Sequence, residues 1–420
     1  MKKYPKYKDS GIEWIGEIPE HWEVKRLDLV VNIVRGNSTF KKDELLDKGE
    51  YIALQYGKTY KVDVVDENFK YFVNSEFYKE SQVVSRGDTI LISTSETIED
   101  LGHTCYYDNE NIGLIGGEQI LLNPNHEVVS GKYLYYFTCR LGSQLKKYAK
   151  GLKVFRFNTN DLKCFSIALA PLQEQKQIAD YLTNKTTEID KLIAEKEELI
   201  TLYKEEKVAT INHVVTKGLD AAVPMKDSGI EWIGEIPEHW EVKKLKYVTS
   251  LKSGDNITSE QIQQNGKYPV YGGNGKRGFT ETFTHKGNYV LIGRQGALCG
   301  NINYASGYFW ASEHAVVCSI TSNHNYIWLG CLLEIMNLNQ YSQSSAQPGL
   351  AVEKIKNLDI VVPLEKETRE IANFLSQKTS EIDSKMNTTH KEIALLKEYK
   401  EALISEVVLG KVDVRGEVER

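Results

Sequence analysis

The chain has 420 residues, 41% of them hydrophobic and 26% charged, with 52 Lys and Arg against 58 Asp and Glu for a formal net charge of −6. That length exceeds one ordinary core and predicts two or three compact units, the composition excludes a disordered chain, and the lack of any run of about 18 apolar residues excludes a membrane-spanning helix. A mildly acidic total decides neither for nor against nucleic acid, because phosphate neutralisation depends on local charge.

In chain order, the N-terminal MKKYPKYKDSGIEWIG lacks an apolar signal stretch, which predicts a protein that is not exported. Residues 8–27, KDSGIEWIGEIPEHWEVKRL, return at 226–245 as KDSGIEWIGEIPEHWEVKKL, with only Arg26 changed to Lys244, an offset of 218. The interior that follows, 28–170, holds a strand-like GDTILIS from Gly87 and a helix candidate, KYLYYFTCRLGSQLKKY, from Lys132. From Gly131 to Lys163 eight basic residues, Lys132, Arg140, Lys146, Lys147, Lys150, Lys153, Arg156 and Lys163, face the single acid Asp161, with Tyr148, Phe155 and Phe157 interleaved. A local charge of +7 with aromatic rings suits phosphate contacts and stacking; the bland alternative is a solvated lysine face on a core-packed helix.

Pro171 then opens more than 40 residues without glycine or proline, ending at Gly218, which predicts one long helix. IADYLTNKTTEID from Ile178 matches IANFLSQKTSEID from Ile371 at an offset of 193, and Pro363 to Gly410 predicts the second such helix. Steps of four and three give Ile178, Leu182, Lys185, Ile189, Leu192, Lys196, Leu199 and Tyr203, and in the copy Ile382, Met386, Thr389, Ile393, Leu396, Lys400, Leu403 and Val407. This stripe predicts a coiled-coil pairing, since a helix of about 46 residues, ~69 Å long, would overrun a single small domain.

The second interior, roughly 246–362, is shorter by 25 residues, the difference between the two offsets, and shares little identity with the first, yet GNYVLIG from Gly287 and NYIWLGCLLEIMNLNQY from Asn325 keep the same order. Its basic residues fall earlier, Lys267, Lys276, Arg277, Lys286 and Arg294 against Glu281. Loops carrying Asn274, Arg277, Arg294 and Gln295 hold the side chains that best tell bases apart in a major groove, Arg toward guanine and Asn or Gln toward adenine. The DNA-contacting candidates are therefore Lys146, Lys147, Lys150, Lys153 and Arg156 in the first half and Lys276, Arg277, Arg294 and Gln295 in the second. The fold class expected is α+β, with two homologous α/β domains separated by two long antiparallel coiled-coil helices in a pseudo-two-fold repeat: 1–170, 171–218, 219–362 and 363–420.

Motifs that look catalytic fail on context. Gly273, Gly275 and Gly278 satisfy G-x-G-x-x-G, but FTETFTHKGN after them is β-prone where a dinucleotide site needs a helix, and Arg277 follows Lys276 where a phosphate loop needs Ser or Thr. In PEHWEVK only two residues separate Glu20 from Glu23, too few for two carboxylates to meet on one metal from adjacent strands; Trp14, Trp22, Trp232 and Trp240 read instead as packing anchors against the long helices. Asn123-Pro124-Asn125-His126 lacks the second proline and the aromatic of a methyltransferase tetrad. The six cysteines, Cys105, Cys139, Cys164, Cys299, Cys318 and Cys331, stand singly, without metal-ligand spacing, and read as reduced, cytoplasmic and mostly buried. Neither a catalytic nor a metal-binding residue is predicted.

The order of WIGEIPEHWEV, a variable domain, PLQEQKQIADYL with a long helix, and then the same again resembles the specificity subunits of Type I restriction-modification enzymes over nearly all of the chain. YPVYGGNGKRGF, LIGRQGALCGNI, FWASEHAVV and AQPGLAVEKIKNLDIVVPL are similar to a common target-recognition domain of that family; Pro363-Leu364-Glu365-Lys366-Glu367 departs from the Pro-Leu-x-Glu-Gln that stands intact at 171–175. The resemblance implies a non-catalytic, cytoplasmic subunit that binds double-stranded DNA. Each domain would take one half of a split asymmetric target, and the helices would dock two methylase subunits with restriction subunits beside them. S-adenosylmethionine and ATP with magnesium would belong to those partners, with no cofactor on this chain. The competing readings are a DNA-binding scaffold, a DNA-mimic inhibitor and an enzyme acting unaided.

Overall fold

The computed structural model describes residues 2–151, 153–296, 298–342 and 349–417; Ala346, Gln347 and Pro348, which open the last of the similar strings above, lie outside them. The chain forms two compact units, Met1–Glu195 with Glu392–Arg420, and Lys196–Lys391. Both long helices are divided between the units, so the contact boundary falls inside the helices and not at their ends.

The copied flank folds alike in both units. Tyr7–Asp9 pairs antiparallel with Glu17–Pro19, and Met225–Asp227 with Glu235–Pro237. Next, Glu23–Arg26 pairs with Ser166–Leu169, and Glu241–Lys244 with Asp359–Val362. Each domain is thus entered and left along one two-stranded ribbon, which ties the two repeated stretches of sequence together in space. Trp22 and Trp240 are fully buried, and their indole N–H groups donate to Glu174 at 3.1 Å and to Glu367 at 3.2 Å on the long helices. The other tryptophan pair behaves differently. Trp14 packs on Phe137 and Phe165, with ring centroids 5.7 and 6.3 Å away. Trp232 is 42% exposed, because the matching positions are Gly330 and Leu358, and the Tyr304 ring occupies the space that a side chain at Gly330 would need. The anchoring expected of Trp232 is therefore absent.

The two interiors, unlike in sequence, share one topology. The main sheet runs Val31–Arg35, Gln119–Pro124, Thr89–Ile92, Thr104–Tyr107 in the first unit and Thr249–Ser253, Ala315–Ile320, Tyr289–Gly293, Ile302–Ala305 in the second, antiparallel throughout. A smaller sheet in each has a parallel central pair, Tyr51–Leu54 with Gly113–Ile115 and Tyr268–Gly272 with Tyr308–Ala311, flanked by antiparallel neighbours. Most of the extra length of the first interior lies between Leu54 and Val83, which hold the short helix Tyr56–Thr59 and a fifth main-sheet strand, Val64–Val65. The apolar faces of helix Gly131–Leu145 (Tyr133, Leu134, Phe137, Leu141) and helix Tyr326–Ile335 (Trp328, Leu329, Leu332, Leu333) are buried.

The long helices span Leu172–Lys217 and Glu365–Val408, close to the expected bounds, and each ends on a left-handed glycine, Gly218 at φ 80° and Gly410 at φ 69°. The departure from Pro-Leu-x-Glu-Gln is absorbed locally: Gln175 Oε1 accepts the Ser130 N–H at 2.8 Å, and Thr368 Oγ accepts the Asn325 N–H at 3.1 Å. The buried stripe, however, is not the heptad predicted for the first helix. Ile178, Ile189, Ile200 and Ile211 are buried, as are Ile371, Ile382, Ile393 and Ile404, at a spacing of eleven. Ile193 is buried where Leu192 was expected, and Leu192 and Leu199 are 40% and 36% exposed. Eleven residues make three turns at ~3.67 residues each, so the stripe stays on one face with little winding. In the second unit Lys207 pairs with Asp383 at 2.7 Å, and Ile211 and Val214 share a buried cluster with Ile371 and Leu375; the helices there run antiparallel. In the first unit Lys400 pairs with Asp190 at 2.8 Å.

The helix ends seat alike on the flanks, but through different connectivity. Gly218 lies against Trp240 and Pro237, Lys217 donates to the Ile233 carbonyl at 3.0 Å, and the chain continues into its own hairpin. In the first unit Gly410 lies against Pro19 and Trp22, and Lys411 donates to the Glu17 carbonyl. There the seat is closed by two distant chain segments: the Asp413 N–H donates to the Lys2 carbonyl at 2.8 Å, and the Arg415 guanidinium covers the Tyr4 ring at 4.9 Å.

Candidate nucleic-acid interface

In the second unit four loops meet at one end of the sheets. The turn after Tyr268–Gly272 lies against the end of Tyr289–Gly293: a Cβ on Gly293 would stand 2.3 Å from the Gly273 carbonyl, and one on Gly273 would stand 3.0 Å from the His314 carbonyl. These glycines serve close backbone approach, and the strand Gly275–Thr280 follows them, so no helix terminus faces a phosphate. Around that junction Arg294 Nη1 donates to Ser253 Oγ at 3.1 Å, Gln295 Oε1 lies 3.0 Å from His314 Nδ1, and Asn301 Nδ2 donates to Asn274 Oδ1 at 3.3 Å. The stem of Arg277 packs over Gly272, while Lys276 caps the Phe279 ring at 3.8 Å. Arg277, Arg294 and Gln295 are thus gathered, and Lys276 is engaged beside them.

The basic run of the first unit is more dispersed. Lys146 follows helix Gly131–Leu145 and donates to the Glu99 carbonyl at 2.7 Å; Lys147 donates to Gln144 Oε1 at 2.8 Å. The chain then doubles back, with Lys150 and Arg156 exchanging backbone hydrogen bonds of 2.9 Å and exposed Lys153 between them. Arg156 pairs with Thr94 in a short ribbon, and its guanidinium lies 4.0 Å from Glu118. Only Arg156 reaches the end of the main sheet. Glu118 takes a left-handed φ of 66° at that end, a conformation that costs a non-glycine residue about 1 to 3 kcal/mol and collects at functional rims.

Several residues of this edge carry no signal in composition. His314 lies 3.1 Å from Glu313 and so links that carboxylate to Gln295; Arg35 and Ser253 end the matched outer strands. Aligning the copied flanks beyond residue 27 would have exposed them, since Arg35-Gly36 and Ser253-Gly254 keep the offset of 218. Four of the six cysteines are buried, Cys139 is partly buried and Cys164 is exposed. Burial pushes Cys139 and Cys318 up to about 12 and Cys331 to about 11, which keeps them protonated and unreactive.

Two units of like topology on repeated flanks define the class of an internally duplicated two-domain protein. The chain belongs to the family of the Type I restriction modification DNA specificity domain, whose model matches residues 19–202 and again 237–395. It is 45% identical over 125 residues to the Type I restriction enzyme EcoprrI specificity subunit of Escherichia coli, covering 29% of this chain and 31% of that one. With the MjaIX specificity subunit of Methanocaldococcus jannaschii it is 23% identical over 430 residues, covering 95% of each. Of other curated relatives the matches span little more than half the length, 54% for the MjaVIII and 53% for the putative MjaX specificity subunits of the same organism. Among solved structures, a chain of a type I R-M system described for its complex assembly and conformational transition superposes with a TM-score of 0.65 at 17% identity, covering 94% of this chain and 99% of that one. The HsdS subunit from Thermoanaerobacter tengcongensis gives 0.53 at 16%, covering 94% and 98%. At these identities the likeness speaks for the fold. No helix among the described residues is long and apolar enough to cross a membrane.

Proposed function

We propose that this chain selects the DNA sequence for a Type I restriction-modification assembly, each domain reading one half of a split, asymmetric duplex target. One observation carries this reading: two main sheets that share the order of four strands present a matched edge with different side chains, Arg294 and Gln295 with Arg277 from the neighbouring smaller sheet in one and Arg156 with Glu118 in the other. Unlike edges on like scaffolds suit unlike half-sites, separated by about one helical turn, ~34 Å, or a comparable distance. The role is non-catalytic. Two methylase subunits would bring S-adenosylmethionine and the transfer chemistry, and restriction subunits would bring ATP and magnesium.

The test is to purify the chain alone and with its neighbouring methylase gene product, then map methylated adenines across a genome. A split motif that appears only with the methylase is the expected result; methylation or cleavage by the lone chain overturns the reading. Exchanging residues 246–362 for another such domain changes one half-site only, and a change in both refutes domain autonomy.

A further inference from the structure

The matched sheets allow residue-by-residue comparison of their edges. In the first unit Arg35 stands opposite Ile120, and the next residue, Gly36, donates its N–H to the Gln119 carbonyl at 2.9 Å. In the second, Ser253 stands opposite Val316, and Gly254 donates to the Ala315 carbonyl at 2.9 Å. Arg35 and Ser253 therefore hold the same place. Across the middle strand, the Ser93 N–H donates to the Glu118 carbonyl at 3.1 Å and the Arg294 N–H to the His314 carbonyl at 2.9 Å, so Ser93 and Arg294 also correspond.

The two residue types have changed sides: Arg then Ser in one domain, Ser then Arg in the other. Arg294 reaches across to Ser253 Oγ at 3.1 Å, which brings its guanidinium beside the position that Arg35 occupies in the other domain. Arg35 is exposed, and among the described residues it forms no ion pair, in contrast to Arg26, Arg86, Arg156 and Arg415. Among the described residues, Ser38 Oγ and Gln55 Oε1 in the first unit and Ser312 Oγ and Glu313 Oε2 in the second are buried near this edge without a protein hydrogen-bond partner, as are atoms elsewhere such as Trp328 Nε1. Buried polar atoms are rarely left so unless water or a ligand completes them.

We propose that Arg35 and Arg294 are matched specificity-determining residues, one per domain, each donating two of its guanidinium N–H groups to O6 and N7 of a guanine in its own half-site. The inference rests on the function proposed above. Its test uses the full chain with its methylase, comparing Arg35→Ala, Arg35→Lys and Arg294→Ala with the wild type by methylation mapping and by binding at matched salt. Arg35→Ala relaxes one position in one half-site, Arg294→Ala relaxes one in the other half-site, and each weakens binding to the native target by about 5- to 150-fold. Arg35→Lys keeps the charge but loses the paired geometry, and it resembles Arg35→Ala in motif. An unchanged motif, two changes in the same half-site, or a uniform loss on all sequences with the salt slope reduced by about one, the sign of a phosphate contact, each overturns the assignment. A wild type that marks no split motif removes the underlying function and this inference with it.

Discussion

Glu174 shows how one residue fixes a domain to its helix. The carboxylate is buried and accepts from the Tyr4 hydroxyl at 2.7 Å and the Trp22 indole at 3.1 Å, with His21 Nε2 at 2.8 Å. Glu367 repeats the tryptophan and histidine contacts in the second unit but is partly exposed and has no tyrosine, position 222 being alanine. Leaving buried donors unmatched costs about 1 to 3 kcal/mol per group, whereas water replaces an exposed acceptor cheaply. Glu174→Ala is therefore expected to cost its unit about 3 kcal/mol, and Glu367→Ala about 1 or less. Urea unfolding read by peptide-resolved hydrogen exchange separates the units, and equal costs would contradict the burial argument. The tryptophans were legible at 22 and 240 because the repeat copies both them and their partners. Trp232 was not, because its partners sit in the interior, where Phe137 has become Gly330.

The long helices were legible in their ends and opaque in their inner face. Proline before and glycine after mark the bounds, but after Ile189 a step of three to Leu192 and a step of four to Ile193 both land on an apolar residue. Periodicity cannot choose between them; the partner surface does. Ile193→Ala and Ile200→Ala should each cost about 2 to 4 kcal/mol by emptying buried space, whereas Leu192→Ala and Leu199→Ala, at partly exposed positions, should cost less, about 1 kcal/mol. Denaturation midpoints for the four variants settle the point, and the reverse ranking would restore a seven-residue seam. The sheets show the opposite balance. Their strands were partly visible as GDTILIS and GNYVLIG, but their shared order was hidden, because pairings such as Arg35 with Ile120 join positions far apart in sequence. The candidate edge inherits that blindness: charge density pointed to Lys146 through Lys153, while register brings forward Arg35, Glu118 and His314.

At the scale of the molecule, the repeat was readable as two like units, but the share each takes of both helices was not, since contacts and not sequence identity set that division. The seat formed by residues 411–415 is held by a titratable pair, Asp413 with Arg415. The hydrogen bond from Arg415 holds the Asp413 carboxyl below its usual range. A depressed acid contributes fully above its unfolded value and loses that contribution as pH falls through the folded one. The Asp413 amide should stay protected from exchange near neutrality and lose protection below about pH 4, and Asp413→Asn should flatten this dependence. Protection unchanged down to pH 2 in the wild type would rule the carboxylate out as the fastener.

Connectivity also fixes where each unit comes apart. The first can unzip between residues 2–4 and 411–415 with every sheet strand still in register, whereas the second must break a helix or a ribbon to open the same seat. On gentle warming the 411–415 segment is expected to part from residues 2–4 before either sheet opens, which exchange of the Asp413 amide ahead of the sheet amides would check.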